Sequence, residues 1–213
     1  VILSHAHIDH SGNLPNLVKQ GFRGKIYCTK ASAAMLEPML LDSAKIQEHD
    51  IEYLNRKLRP EVRLEPIYTE EDARKVFELL EPKEYHEWFS PLGGSLPRRQ
   101  AGALGGDAPN LKIFFQEAGH ILGSALLTMH ITENGKTIKI GFSGDLGRKF
   151  LPILKDPEQI TDVDYLVCES TYGDRLHTDI KNSYDDLARI INETSQRGGK
   201  VIIPSFAVER AQE

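Results

Sequence analysis

The sequence predicts a mixed α/β fold. Three features carry that expectation. Leu111–Gln116, Leu126–Thr132 and Thr137–Phe142 are short β-prone runs in close succession. Tyr184–Gln196 has helical periodicity, with Leu187, Ile190, Ile191 and Thr194 on one face. From residue 165 the order is strand, helix, strand, helix, the pattern of a parallel α/β unit.

Taken in order, Val1–Ser4 reads as a strand that empties into a histidine-rich loop. Leu14–Gln20 is a short helix stopped by Gly21, and Lys25–Thr29 a short strand. Ala31–Glu37 is helical, and Pro38 is expected to open a second helix running to about Leu58. Glu70–Leu80 is a helix with Thr69 as N-cap and Asp72 three residues on. Residues 91–110 form a Gly/Pro-rich loop. Glu133-Asn134-Gly135-Lys136 is a hairpin turn between the second and third β-runs. Tyr165–Cys168 is an apolar strand, Lys200–Ile203 another, and Phe206 begins a helix. Val1-Ile2-Leu3 is a strand already under way and Ala211-Gln212-Glu213 a first helical turn, so the chain is expected to be a segment of a longer one.

Composition narrows the class. Hydrophobic residues make up 40% and charged residues 27% of 213, ordinary for a globular protein. No apolar run approaches the ~20 residues of a membrane span. Cys28 and Cys168 are far apart and in no CxxC spacing. That speaks against a zinc knuckle and fits a reducing cytoplasm, with both thiols read as small buried apolar groups. The net charge of −5 argues against bulk, nonspecific nucleic-acid binding.

The densest chemistry is His5-Ala6-His7-Ile8-Asp9-His10, with three of the eight histidines in six residues. In an extended segment alternate side chains share a side, so His5, His7 and Asp9 are expected to converge, and His10 to join them through a turn at Ser11-Gly12-Asn13. Imidazole and carboxylate suit zinc, and no cysteine competes. A polar surface loop is the plainer alternative. His120 lies in Ala118-Gly119-His120-Ile121-Leu122-Gly123-Ser124-Ala125, and Asp145 in Ser143-Gly144-Asp145-Leu146-Gly147-Arg148. Alone they would be a structural histidine and a turn aspartate. Both sit at strand ends, where active sites collect.

These segments, in this order, resemble the metallo-β-lactamase superfamily, and most closely its β-CASP branch of RNA-processing and DNA-repair nucleases. Cys168-Glu169-Ser170-Thr171-Tyr172-Gly173-Asp174 is similar to that branch's acidic strand end. Gly198–Ala207 with Arg210–Glu213 looks like the start of its inserted domain. The resemblance implies part of an αββα sandwich over residues 1–175 and the opening of a β-CASP α/β domain over 176–213. It implies two zinc ions: His5, His7 and His120 on the first, Asp9 and His10 on the second, Asp145 between them. A water activated by both cations would attack phosphorus, oriented by Asp9. Glu169 would support a histidine that protonates the leaving oxygen. The cations also reconcile a nuclease with an acidic chain.

The branch's two remaining histidine motifs are absent, and His130 and His177 match neither. The first metal site is therefore expected to be nearly complete and the second deficient. The implied activity is a zinc-dependent endo- or exoribonuclease, acting on RNA in processing or decay, with no membrane partner and with homodimerisation of the full-length protein, and inactivity of this segment by itself, among the expectations. A DNA nuclease of the same branch and an ester or thioester hydrolase of the wider superfamily are the alternatives. An inactive scaffold subunit is disfavoured, because all six ligand positions are filled. Arg98 and Arg99, and the basic residues from Lys45 to Arg63 with their interleaved acids, read as solvated surface rather than as an RNA path.

Overall fold

Ile2 and Leu3, neighbours on one extended segment, enter different apolar clusters. That is the two-residue period of a strand placed between two layers. The computed structural model describes residues 1–59, 62–91, 110–175, 183–206 and 208. Contacts divide the chain into Val1–Glu169 and Ser170–Glu213.

In the first unit the Val1–Leu3 segment pairs with β1 (Ile26–Thr29): Leu3 N–H donates to the Tyr27 carbonyl and Tyr27 N–H to that of Val1, both at 2.9 Å. β2 (Leu80–Lys83) pairs with β1 in parallel, with Ile26 opposite Leu80. On one side of this layer lie α1 (Ile8–Ser11), α2 (Leu14–Lys19), α3 (Lys30–Lys57) and α4 (Glu70–Phe77). Leu3, Ile26, Leu36, Leu40 and Val76 meet in the core between them. On the other side is a sheet ordered β3 (Asn110–Glu117), β4 (Ala125–Glu133), β5 (Lys136–Phe142), β6 (Tyr165–Val167). β3, β4 and β5 are antiparallel, and β6 is parallel to β5. Ile113, Phe115, Ala125 and Leu127 form its core, with Ile2 and Phe89 packed on them. The fold is the α/β arrangement expected, helices on sheet on sheet.

Most elements lie where the sequence puts them. The β4–β5 turn has Asn134 and Gly135 at φ +50 and +74, the pair of left-handed residues a tight hairpin requires. Thr69 and Asp72 form a reciprocal capping box at the start of α4.

Several details differ. α3 runs unbroken through Pro38. Leu36 and Leu40, either side of it, are both fully buried, while Pro38 and Ala34 face solvent, where the carbonyl freed by the proline meets water. α4 stops at Phe77, because Leu80 is drawn into the strand beside β1. Lys200–Ile203 is not a strand: a strand exists through its ladder to a neighbour, and no described residue pairs with it. Cys28 is buried as expected, but Cys168 is exposed, following an edge strand whose side chains are uncovered.

The second unit contains α5 (Ser183–Gln196), with Thr194 buried. Arg98, Arg99, His177, the helix expected from Phe206 on, and the Arg210–Glu213 motif lie outside the described residues, apart from Phe206 and Val208. The charged stretch along α3 is solvated, with Lys45, Arg56, Lys57 and Asp50 exposed. No helix among the described residues is long and apolar enough to cross a membrane.

Candidate metal centre

The extended segment delivers His5 to the sheet edge, where it is completely buried. Ala125 N–H donates to the Ser4 carbonyl at 2.8 Å, tying the start of β4 to the residue before His5. The chain then changes geometry. α1 begins at Ile8, with His7 at its N-cap, and the Ser11 hydroxyl donates to the carbonyls of Ala6 and His7 at 2.9 and 3.0 Å. This helical turn replaces the extended backbone expected at Asp9. Asp9 groups with His10 and Asp145, and its charge is still felt at His7.

His120 sits in the loop between β3 and β4. The buried Ser124 hydroxyl accepts from the N–H groups of His120 and Ile121, at 2.9 and 3.2 Å. Asp145 follows β5. Gly147 N–H donates to the Ala118 carbonyl at 2.9 Å, and a Cβ on Gly147 would lie 1.6 Å from the Gly119 carbonyl oxygen. Only glycine lets these two loops approach so closely.

Four donor atoms converge: His5 Nε2, His7 Nδ1, His120 Nε2 and Asp145 Oδ2. His7 Nδ1 lies 3.1 Å from both His5 Nε2 and His120 Nε2. Asp145 Oδ2 is 3.5 Å from His120 Nε2 and 3.8 Å from His5 Nε2. Ligands about 2.1 Å from a tetrahedral ion stand about 3.4 Å from one another. The cluster therefore has the dimensions of a first coordination shell. A second group shares the same carboxylate: His10 Nε2 is 3.3 Å from Asp145 Oδ1 and 3.6 Å from Asp9 Oδ2.

Electrostatics fit the same reading. Burial, followed by the neighbouring His10, His120 and His7, pushes His5 down to about 3. Burial also lowers His7 and His120. Neutral imidazoles keep the lone pairs a cation needs.

Glu169 lies at the end of β6, beside the Asp145 loop. Its carboxylate accepts from Leu146 N–H, and its own N–H donates to the Ser143 hydroxyl at 3.0 Å. A cavity of about 620 Å³ opens here, lined by His10, Asp145 and Glu169 and by the apolar Leu127, Met129 and Phe142. All six residues singled out as ligands thus meet in one place, and Glu169 borders it. Sequence reasoning gave no role to Ser4, Ser124 or Ser143. Their signal was adjacency, since each sits within four residues of a donor.

The family model described as the metallo-beta-lactamase superfamily matches residues 1–204. The chain is 35% identical over 213 residues to a protein of Thermus thermophilus named a ribonuclease, all of this chain and 41% of that one. It is 30% identical over 216 residues to the transcription termination factor FttA of Methanocaldococcus jannaschii, covering all of this chain and 29% of the relative. It is 31% identical over 217 residues to endoribonuclease ysh-1 of Neurospora crassa, again over its whole length and 22% of the relative. The chain thus spans between 22% and 41% of the length of these relatives.

Proposed function

The chain belongs to the metallo-β-lactamase superfamily, and from that premise we propose that it carries the metal centre of a zinc-dependent ribonuclease of the β-CASP branch. The observation that carries the reading is the sharing of Asp145 between two donor groups. His5, His7, His120 and Asp145 hold the first zinc; Asp9, His10 and Asp145 hold the second. Among the described residues the first ion has four donors and the second three, which supports a tight first site and a deficient second. Bound zinc supplies Lewis acidity, lowering the pKa of a water and offsetting charge on the phosphate.

The chain's own groups supply the rest. The buried His5 and the half-buried His7 and His120 stay uncharged. Asp9, with 74% of its side chain exposed, is open to solvent and can orient the attacking water and take its proton. Glu169 engages Leu146 through one carboxylate oxygen, and the reading assigns the other to the group that protonates the leaving oxygen.

RNA is favoured as substrate over DNA or a thioester because two of the three named relatives are called ribonucleases. In this reading residues 1–175 belong to the metallo-β-lactamase domain, 176–213 open the β-CASP insertion, and the protein works in the cytoplasm. Zinc per chain, by elemental analysis of monodisperse protein, tests the centre: about one tightly held ion is expected, and well-folded protein that takes up none overturns the reading. Labelled RNA, DNA and a thioester offered to the metal-loaded protein extended to the length of its relatives then test the substrate, with cleavage of RNA alone expected.

A further inference from the structure

Each ligand imidazole uses one nitrogen on the metal side, and its other nitrogen must be held for the ring to point correctly. For His5 that second atom is Nδ1, and the Ser4 hydroxyl oxygen lies 3.0 Å from it. His5 is wholly buried, and no other side-chain hydrogen bond to this nitrogen is found among the described residues.

Ser4 is itself fixed on two sides. Its carbonyl accepts from Ala125 N–H at 2.8 Å. Gly144, at φ +54, lies against it so closely that an added Cβ would stand 2.9 Å from Ser4 Cβ. Ser4 therefore touches the segment bearing His5, the start of β4 and the loop bearing Asp145.

We propose that Ser4 is a positioning residue: its hydroxyl accepts the Nδ1–H of His5, fixing the tautomer whose Nε2 lone pair faces the donor cluster. The proposal rests on the metal reading above. Loss of the hydroxyl leaves a buried donor unpaired, and the ring is then free to adopt the other tautomer.

The test compares Ser4→Thr with Ser4→Val, which have nearly the same shape and differ in the hydroxyl. Zinc affinity is read by competition with a chromophoric chelator, and ligand geometry by the visible spectrum of the cobalt(II)-loaded protein. Ser4→Val is expected to bind zinc roughly 10- to 100-fold more weakly with an altered cobalt spectrum, and Ser4→Thr to match the wild type. Equal binding by Ser4→Val and wild type overturns the proposal. So does equal weakening of both variants, which would make Ser4 a packing group only. If valine is not accommodated beside Gly144, Ser4→Ala removes Oγ alone and is read the same way. A wild type that takes up neither ion overturns the metal reading itself, and is distinguishable because no variant is then needed.

Discussion

Asp145 meets His10 through one carboxylate oxygen, Oδ1 at 3.3 Å from His10 Nε2, and turns the other, Oδ2, toward His120 Nε2 at 3.5 Å. One side chain thus belongs to both donor groups. Asp145→Asn keeps the size but removes the charge that both need, so both should weaken together. Replacing a partner of a ligand typically costs 10- to 100-fold; loss of a shared ligand should lower RNA cleavage by more than about 100-fold. Single-turnover cleavage and zinc content, measured on the same preparation, check this. Retained cleavage with full zinc would sink the shared role.

Gly147→Ala should disturb the same centre without touching a donor. A Cβ there would stand 1.6 Å from the Gly119 carbonyl, so the loops carrying Asp145 and His120 must separate. Reduced zinc affinity is expected, along with a lower Tm. A variant that binds zinc like the wild type would show that the two loops relax independently.

Zinc should stabilise the fold, since the donors come from segments far apart in sequence, at residues 5–10, 120 and 145. An ion that binds only the folded state at 100 times its Kd adds about 2.7 kcal/mol. Thermal melts with and without added zinc measure this. An unchanged Tm would mean that the cluster does not bind the ion in the folded protein.

How much of this was legible in the sequence depends on how local the signal is. His5, His7 and His10 announce themselves by density, and the β4–β5 hairpin by Asn134-Gly135. Asp9 reaches the donor groups by another route than strand alternation, because the backbone turns helical at Ile8, where the period is no longer two. Ser4, Ser124 and Ser143 were silent. A serine beside a histidine is common, and only the fold brings its hydroxyl to a ring nitrogen or a loop amide. β2 was hidden because Leu80–Lys83 contains a proline, tolerated there because one edge of the strand is unpaired among the described residues.

Glu158 gives a pH-dependent test of the architecture around the β3 end. Its carboxylate is 2.7 Å from His86 Nε2 and also contacts Gln116 and the Glu117 N–H. Partial burial opposes its charge, but the bond to His86 and those to Glu117 and Gln116 outweigh that and lower its pKa. A carboxyl whose folded pKa is depressed contributes stability above its unfolded value and loses it as pH falls through the folded one. Glu158→Gln should therefore destabilise by about 1 kcal/mol at pH 7, with the difference from wild type narrowing below about pH 4. Chemical denaturation at the two pH values decides. A gap that does not change with pH would mean that Glu158 acts by shape and hydrogen bonding rather than by charge.

Pro38 offers the opposite kind of change, a gain. It sits inside α3 on the solvent side. There it removes one helix hydrogen bond and presses on the carbonyl four residues back, a defect of about 3 kcal/mol in an unconstrained helix. The helix continues because Leu36 and Leu40 are both fully buried against β1 and α4, so packing on either side holds the register across the break. Pro38→Ala restores the N–H and the preferred geometry, while the buried face stays unchanged. Stabilisation of about 1–2 kcal/mol is expected, less than the full defect because proline also restricts the unfolded chain. The gain should appear as a raised denaturant midpoint with an unchanged slope. A lowered midpoint would mean that the packing of α3 depends on a bend at Pro38, and that straightening the helix draws Leu36 or Leu40 out of the core.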